Sequence, residues 1–529
     1  MPPIVRVITP KQAILSVLTL GVLVLVGYSL LVSWHQPQVQ NRLELYQTNL
    51  QLQAAEFQPE LVEDGNADKG KSWFGQPLFA DALKQYRAAR QSAQESLQET
   101  RDRLQVVKAE ANAAIPEDAS IFQPLQSEAE LQSAIQRLNQ RLNDLDLRLG
   151  LLQVKDSKVS EALTTWEEVR DRALGQPEAV AEFPATAEVL IGMWSEPPRL
   201  LPDAEPQIQQ ALEGWFRYRA LQQVYQLQQR QDALDALQVE EQGIAQQTAI
   251  KLFVLGSIPM VGGAIGVGLG IFIIVQRVLG GENSLLARNG NRRWNVPWDA
   301  EIVWQVLVVG FFLVGQLIVP IAFQLLGFGL VPGNARLQAL YFFSSYVLVA
   351  AGGLLVLYLS LKPFLPFPSS DWFRFEWAKP RWVLWGVGGY LVALPLVLIV
   401  SLLNQQIWQG QGGSNPILPI ALENRDGLAL GIFFLTASVA APLFEEVLFR
   451  GFLLPSLTRY MSVWGAIAAS SLLFALAHLS VSEVLPLATL GTILGIVYTR
   501  SRNLLAPILL HSLWNSGTML SLFILGSGT

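Results

Sequence analysis

The sequence predicts an all-α membrane protein, a polytopic helical bundle of about nine spans with an inserted α-helical, coiled-coil-like extramembrane domain. Three observations predict this fold class. About half of the 529 residues are hydrophobic and 15% are charged, a composition too apolar for ordinary soluble domains. Long runs with few charges crowd the chain after Lys251. Residues 35–248 are instead rich in Gln, Glu, Arg and Ala, with helical periodicity.

Two features of the composition exclude classes of function. The chain has no cysteine, which excludes disulfides, thiolate metal ligands and cysteine nucleophiles. Its formal net charge is −6 and no Lys/Arg-rich block is interleaved with aromatic residues, so nucleic acid is not an expected partner. The lipid bilayer is the expected environment.

The first predicted element, within residues 1–34, is a transmembrane anchor. The apolar run from Ala13 to Val32 follows Arg6 and Lys11 and is long enough to cross a hydrocarbon core of about 30 Å. A cleaved signal peptide is the alternative, but the run exceeds a usual h-region and no clear A-x-A site follows. We therefore predict an uncleaved anchor.

Residues 35–248 form the predicted helical domain. Its clearest seam recurs at alternating spacings of four and three and consists of Leu131, Ile135, Leu138, Leu142, Leu145, Leu149 and Leu152. A further helix is predicted from Ile208 to Leu237. The seams either pack within one chain or offer a surface for a protein partner or for self-association. His35 is expected to be interfacial rather than functional.

The remaining hydrophobic spans follow in quick succession. They are predicted at residues 250–276, 301–326, 337–361, 382–403, 428–455, 462–480, 484–499 and 503–526. Arginines and lysines recur in alternate loops, so the positive-inside rule places those loops and the N-terminus in the cytoplasm. The helical domain and the C-terminus then lie on the opposite face, and a bacterial inner membrane is the expected location. Residues 249–379 receive no role, and residues 380–529 are the predicted catalytic core.

Glycines at positions 262, 266 and 270 are spaced by four within the second span. Such a stripe lets helices pack closely. Gly266, Gly268 and Gly270 imitate a dinucleotide-binding loop, but no strand precedes them and no acidic residue follows at the required distance. Close packing is the expected role.

Three ionisable residues, Glu445, Glu446 and Arg450, interrupt an otherwise apolar span. Each costs roughly 2.5 to 3.5 kcal/mol at mid-bilayer on insertion scales, so each needs a partner. Glu446 and Arg450 are one helical turn apart and are predicted to form an ion pair. Glu445 projects about 100° away from Glu446 and is left to face another neighbour. The alternative is an acidic pair that merely reaches water at a helix end.

Two of the three histidines lie in later spans. Phe474 precedes His478 by four residues, and His511 precedes Asn515 by four, so each pair shares a helical face. A single membrane histidine is often only a helix–helix hydrogen bonder, but two of them downstream of a double glutamate favour a site. The predicted spans place the two histidines at different depths, which short or tilted helices would reconcile.

Two mechanisms are open to these residues. Glu445, His478 and His511 match a catalytic zinc shell with an open water position. Alternatively, Glu445 is a general base that takes a proton from water and His478 orients that water, while His511 and Asn515 donate to the oxyanion. The spans lack H-E-x-x-H, aspartate and a G-x-S-G-like serine, so other intramembrane protease chemistries fit poorly.

Three motifs in the last hundred residues resemble those of the CPBP family, in order and in type. They are Glu445-Glu446-x-x-Phe449-Arg450-Gly451, Phe474-x-x-x-His478 and His511-x-x-x-Asn515. That family groups CAAX prenyl endopeptidases with bacteriocin-processing and abortive-infection proteins. The resemblance covers residues 380–529 and implies an all-helical membrane fold in which the Glu and His residues meet in a cavity within the bilayer.

The resemblance also implies a role for each matching residue. Glu445 would be the base, and His478 and His511 would position water or bind a metal. Asn515 would stabilise the oxyanion, with Glu446 and Arg450 as a supporting pair. The family is described as metallo-, yet a metal-free glutamate mechanism has been argued for its prenyl-protein members. The cofactor is therefore unknown, and zinc is one option.

The sequence thus predicts an intramembrane endopeptidase that acts on a membrane-protein or lipidated-peptide substrate. Two alternatives come from other classes. A non-catalytic membrane scaffold would recruit partners through the helical domain. A proton-relaying transporter would have broken helices at matching positions of two halves, and the sequence has no such internal repeat.

Overall fold

The structure, a computed structural model, describes residues 9–526 except 35, 37, 39, 58–76, 113–127, 173–181, 329–333, 368–371, 409, 416 and 424–425. His35 lies outside the described residues. Within them the regular structure is helical, which confirms the all-α prediction. The chain divides into two compact units, one from Leu43 to Phe253 and one that combines the residues up to Arg42 with those from Val254.

The helices are numbered here in chain order. They are α1 (Pro10–Trp34), α2 (Gln40–Ala54), α3 (Pro77–Asn112), α4 (Glu128–Lys155), α5 (Val159–Arg172), α6 (Glu182–Trp194), α7 (Ala204–Ala211), α8 (Gly214–Leu227), α9 (Gln231–Gly280), α10 (Ala300–Leu325), α11 (Ala335–Leu361), α12 (Arg381–Trp408), α13 (Ile417–Glu423), α14 (Gly427–Leu457), α15 (Val463–Leu476), α16 (Val484–Ser501) and α17 (Leu505–Gly526).

The unit from Leu43 to Phe253 has its own hydrophobic core. Most of the predicted leucine seam on α4 is buried there, with residues of α3, α5 and α8 packed against it. The seam is therefore covered within one chain, as the intrachain interpretation expects. The single helix predicted from Ile208 to Leu237 is wrong, because the chain breaks before α8 and before α9. Gly214 and Gln229 have φ of 55° at these breaks, which a right-handed helix does not accommodate.

Eight helices of the described residues are long and apolar enough to cross a membrane: α1, α9, α10, α11, α12, α14, α16 and α17. They confirm a polytopic bundle. One of the nine predicted spans, residues 462–480, is instead the 14-residue α15. This helix rises about 21 Å, less than a hydrocarbon core of about 30 Å. The turn after α15 is therefore expected to lie within the depth of the bilayer rather than outside it.

Hydrogen bonds group the loops of the membrane unit into two faces. The arginine-rich loops are bonded to one another through Asn289 Nδ2 to Arg500 O at 3.1 Å, Asn503 Nδ2 to Glu376 O at 2.9 Å and Trp294 N to Thr458 Oγ1 at 3.3 Å. At the other end, Ser33, Gly412 and Ser482 belong to a second bonded group. The short α15 runs from the first bonded group to the turn that takes part in the second. Which face is cytoplasmic stays a prediction.

Close packing of the glycine stripe on α9 is confirmed at two of its three positions. A Cβ at Gly262 would lie 2.9 Å from Leu394 Cδ1, and one at Gly266 would lie 1.9 Å from Leu391 O, both on α12. Nothing lies within 4 Å of a Cβ at Gly270, so the prediction is wrong there. The spacing of four matches the helix period, but α12 crosses the stripe over only part of its length.

Candidate active site

The site is built on α14, which departs from α-helical geometry on both sides of its glutamates. Thr436–Ala440 and Val447–Leu453 are π-helical, and the α-helical segment Ala441–Glu446 lies between them. Such widened turns are rare and are found frequently at functional sites. The first has a local cause in Pro442, which has no N–H to donate to the preceding turn.

Asn515 compensates for that missing donor. In the π register Ala441 N bonds to Thr436 O, five residues back, so the next bond would run from residue 442 to Ala437 O. Proline cannot make it, and Asn515 Nδ2 on α17 donates to Ala437 O at 2.7 Å instead. A lipid-embedded carbonyl needs such a partner. The bond uses one of the two amide hydrogens of Asn515 and leaves the other available.

Glu446 and Arg450 form the predicted ion pair. Arg450 Nη1 donates to Glu446 Oε1 at 2.8 Å, and both side chains are fully buried. Arg450 Nη2 also donates to Gly491 O on α16 at 3.1 Å, and its guanidinium lies 4.6 Å from the centre of the Phe474 ring. The pair therefore ties α14 to both α15 and α16.

The same glutamate fixes the orientation of His511. His511 Nδ1 lies 2.8 Å from Glu446 Oε1, and because a carboxylate paired with Arg450 only accepts, Nδ1 carries the proton. In a neutral imidazole Nε2 is then an acceptor. That nitrogen faces Glu445, whose Oε2 is 3.9 Å away. The buried carboxylate of Glu446 thus sets the tautomer of His511, and the unprotonated Nε2 of that tautomer faces Glu445.

Glu445 differs from its neighbour in exposure and in partner. Its side chain is 15% exposed, whereas that of Glu446 is 0% exposed. Its Oε1 accepts a hydrogen bond of 3.1 Å from the hydroxyl of Tyr346 on α11. Sequence reasoning missed Tyr346, which lies among residues 249–379. The available signal was a tyrosine inside a predicted span, where a buried hydroxyl needs a partner.

Phe474 brings the two histidines together. Its ring makes edge-to-face contacts with the imidazoles of His478 and His511, at centroid distances of 5.0 and 5.7 Å. His478 lies in the turn after α15, where its Nδ1 is 2.9 Å from Phe474 O. The shortness of α15 removes the difference in depth that the predicted spans implied. Glu483 lies close enough to interact electrostatically with His478, a neighbour that no motif indicated.

The predicted zinc shell is not assembled. Among the described residues, no three His, Asp or Glu side chains are placed to hold a metal ion. His511 is bonded to Glu446 through Nδ1 and Glu445 to Tyr346 through Oε1, which leaves His511 Nε2 and Glu445 Oε2 facing each other at 3.9 Å. His478 is directed by its bond to the backbone of its own helix. His511 Nε2, Glu445 Oε2 and His478 Nε2 are not gathered around one centre among the described residues, so the side chains as placed do not fit a zinc ion.

The arrangement suits the activation of water. The 3.9 Å between Glu445 Oε2 and His511 Nε2 is longer than a direct hydrogen bond and allows one water to bridge the two atoms. Both atoms accept, so a bridging water would donate both of its hydrogens and leave a lone pair free. Glu445 is the more exposed of the two glutamates and is placed to take a proton from that water.

One family model matches the part of the chain that carries the site. The family model described as type II CAAX prenyl endopeptidase, Rce1-like, matches residues 427–517. This segment contains every predicted site residue, from Glu445 on α14 to Asn515 on α17. No solved structure matches the chain.

Two curated relatives are similar to parts of the chain. The membrane-embedded CAAX protease MroQ of Staphylococcus aureus (strain USA300) is 26% identical over 174 residues, which are 32% of this chain and 68% of MroQ. An uncharacterized 24.3 kDa protein of Escherichia coli is 43% identical over 82 residues, which are 15% of this chain and 38% of that protein. The match to MroQ covers about a third of this chain.

Proposed function

Since this chain belongs through residues 427–517 to the Rce1-like CAAX endopeptidases and is a membrane peptidase, we propose that it is a glutamate-dependent intramembrane endopeptidase. The observation that carries the proposal is the pairing of Glu445 Oε2 with His511 Nε2 at 3.9 Å. This pairing gives a water molecule two acceptors beside the buried ion pair of Glu446 and Arg450.

The reaction follows from the placement of these groups. Glu445 accepts a proton as the water oxygen attacks the peptide carbonyl carbon, and His511 Nε2 holds the second hydrogen of the water. The remaining amide hydrogen of Asn515 is available to stabilise the oxyanion. When the intermediate collapses, Glu445 returns its proton to the leaving amine nitrogen. His478 Nε2 is left free, by its Nδ1 contact, to orient substrate or water.

The substrate is proposed to be a membrane-associated peptide. A site among membrane helices suits a substrate that is anchored in the bilayer by a hydrophobic helix or a lipid, because such a substrate does not have to leave the membrane. The lipid anchor fits the family name, which specifies CAAX prenyl endopeptidases. Two internally quenched reporter peptides therefore serve as probes, a farnesylated CAAX peptide and a peptide that ends in a single hydrophobic helix.

The test is cleavage of the two reporter peptides by the purified full chain in proteoliposomes. Glu445→Gln should lower kcat by about 10²- to 10⁴-fold, the usual contribution of a general base. Glu282→Gln is the matched control, because Glu282 is an exposed glutamate of the same unit and its loss should leave cleavage unchanged. Full activity of Glu445→Gln would contradict the proposal, and cleavage of neither peptide by wild type or variants would favour a scaffold.

A chelator arm separates the two mechanisms. Because the donors of Glu445, His478 and His511 do not converge as ligands, we expect cleavage to survive dialysis against a chelator. Loss of cleavage that zinc restores would contradict the metal-free mechanism while leaving the peptidase assignment intact.

A further inference from the structure

We propose that Ser33, at the end of the first membrane helix, is a positioning residue for His478. The inference rests on the proposed function and extends it to a part of the chain that lies outside the family match. Ser33 belongs to a hydrogen-bonded group, called here the Ser33 clamp, that consists of Ser33, Gly412, Gly413 and residues Ser480–Glu483. The clamp begins two residues after His478.

The clamp is centred on the carbonyl of Gly412. Ser33 Oγ and Ser480 Oγ each donate to Gly412 O at 3.1 Å, and Ser482 N donates to the same oxygen at 3.2 Å. Ser33 Oγ also accepts a bond of 3.0 Å from Val481 N. The hydroxyl of Ser33 thus bridges two segments that are remote in sequence. It is 4% exposed, so water does not readily replace it.

Further bonds hold the two segments to one another. Ser482 Oγ donates to Gly413 O at 2.7 Å, and Asn415 N donates to Glu483 Oε1 at 3.0 Å. The fit is close, since a Cβ at Gly412 would lie 2.6 Å from Ser482 Cβ. Gly412 also has φ of 105°, a conformation that side chains rarely adopt. The glycine loop is therefore shaped to receive the turn after α15.

The turn needs this support for two physical reasons. It is non-helical backbone that follows a helix too short to cross the bilayer, and such backbone is tolerated at membrane depth only where protein satisfies its polar groups. Leu479, directly after His478, has φ of 56°, a strained conformation that persists only when the surroundings enforce it. The clamp supplies the hydrogen bonds that the turn needs and holds Leu479 in its left-handed conformation.

His478 is placed by this turn rather than by a regular helix. Its Nδ1 contact with Phe474 O fixes one end of the residue, and the clamp fixes the backbone two residues beyond. Release of the clamp would let Leu479 relax and would rotate the imidazole away from Phe474 and the reaction centre. Ser33 acts on catalysis through His478 and touches no reacting atom.

The kinetic test compares Ser33→Ala with Ser16→Ala on whichever reporter peptide the wild type cleaves. Ser16 lies on the same helix and its hydroxyl bonds only within that helix, to Gln12 O, so its loss should leave cleavage unchanged. Ser33→Ala should lower kcat about tenfold with KM unchanged, because misplacement of a catalytic group affects the chemical step. Ser482→Ala, on the other side of the clamp, should lower kcat by a similar factor. The loss of kcat in the double variant should be smaller than the product of the two single losses, because both changes open the same clamp.

A second arm does not depend on activity. Hydrogen exchange at the amides of Val481 and Ser482 should speed up by about fivefold or more in Ser33→Ala, because local opening becomes easier. Carbethoxylation of His478 by diethyl pyrocarbonate should change in rate, and that of the buried His511 should not. Ser16→Ala should match the wild type in both measurements.

The outcomes separate this inference from the proposed function. Unchanged exchange and unchanged His478 reactivity in Ser33→Ala would overturn the clamp. Faster exchange with unchanged kcat would overturn the positioning role. A wild type that cleaves neither peptide, with exchange and His478 reactivity altered as expected, would support the clamp and reject the proposed function.

Discussion

Tyr346 links Glu445, the proposed general base, to a helix outside the recognised motifs. Its hydroxyl donates to Glu445 Oε1, while Glu445 Oε2 faces His511. The two oxygens of one carboxylate thus have different neighbours: one accepts from a fixed donor, and the other is the oxygen that the proposal assigns to water. A carboxylate restrained in this way loses less freedom when it takes the proton.

Removal of the Tyr346 hydroxyl is expected to slow catalysis without unfolding the protein. Tyr346→Phe should lower kcat by about 10- to 150-fold, since one hydrogen bond to a charged group contributes about 1.5–3 kcal/mol. The control is Tyr358→Phe on the same helix, because Tyr358 is 54% exposed. Equal kcat for Tyr346→Phe and wild type, measured on the cleaved reporter peptide, would show that Tyr346 does not assist Glu445.

The buried pair of Glu446 and Arg450 is expected to matter for stability as well as for orientation. Arg450→Met leaves Glu446 as an uncompensated buried charge, which costs about 3–5 kcal/mol. The matched control is Arg103→Met, because Arg103 pairs with Glu99 at the same i, i+4 spacing but both side chains are exposed. Denaturant unfolding in detergent should separate the two variants, and equal midpoints would contradict the role of the pair.

At the residue scale, spacing alone predicted the contacts made within one helix. The bond from Arg450 to Glu446 follows from a separation of four residues. Contacts between helices could not be predicted in this way. Tyr346 reaches Glu445 only because α11 packs beside α14, and Asn515 reaches Ala437 only because a proline widens that turn. Neither fact is encoded in a local spacing.

At the scale of the element, hydropathy predicted where membrane helices lie but not where α15 ends. The residues after Leu476 remain largely apolar, so a hydropathy profile continues the span to residue 480. The helix stops because Leu479 takes a left-handed conformation, stabilised by bonds from residues far away in sequence. For α9 the prediction failed in the opposite direction: it ended one helix at Leu237 and began a separate span at residue 250. The structure has a single helix in which the polar first half continues into the apolar span without a break.

The contact between α9 and α12 is expected to depend on a single glycine. Gly266→Ala should destabilise the membrane unit, because its Cβ would lie 1.9 Å from Leu391 O and backbone cannot move aside cheaply. Gly268→Ala is the control, since nothing lies within 4 Å of a Cβ there and alanine favours a helix over glycine by about 1 kcal/mol. In thermal unfolding in detergent, only Gly266→Ala should have a lower midpoint than the wild type. A midpoint for Gly266→Ala at or above the wild-type value would contradict the close contact.

At the scale of the whole molecule, the alternation of charged loops predicted which loops share a face. The structure bonds the arginine-rich loops to one another and the Ser33 and Gly412 segments to one another, which is the grouping the charges require. The sequence could not assign a role to the unit from Leu43 to Phe253. Its apolar seams pack into its own core, and its sequence contains no recognisable catalytic motif.

The orientation of these faces can be tested cleanly because the chain has no cysteine. Single cysteines at three exposed positions, Asp102, Gln411 and Arg293, would report the side of the membrane on which each lies. The positive-inside rule expects Arg293→Cys in the cytoplasm. Asp102→Cys and Gln411→Cys should be labelled by an impermeant maleimide added to intact spheroplasts, and Arg293→Cys only after permeabilisation. Labelling of Gln411→Cys and Arg293→Cys from the same side would contradict the assignment of their loops to opposite faces. The reverse pattern at all three positions would invert the topology and leave the catalytic proposal unchanged.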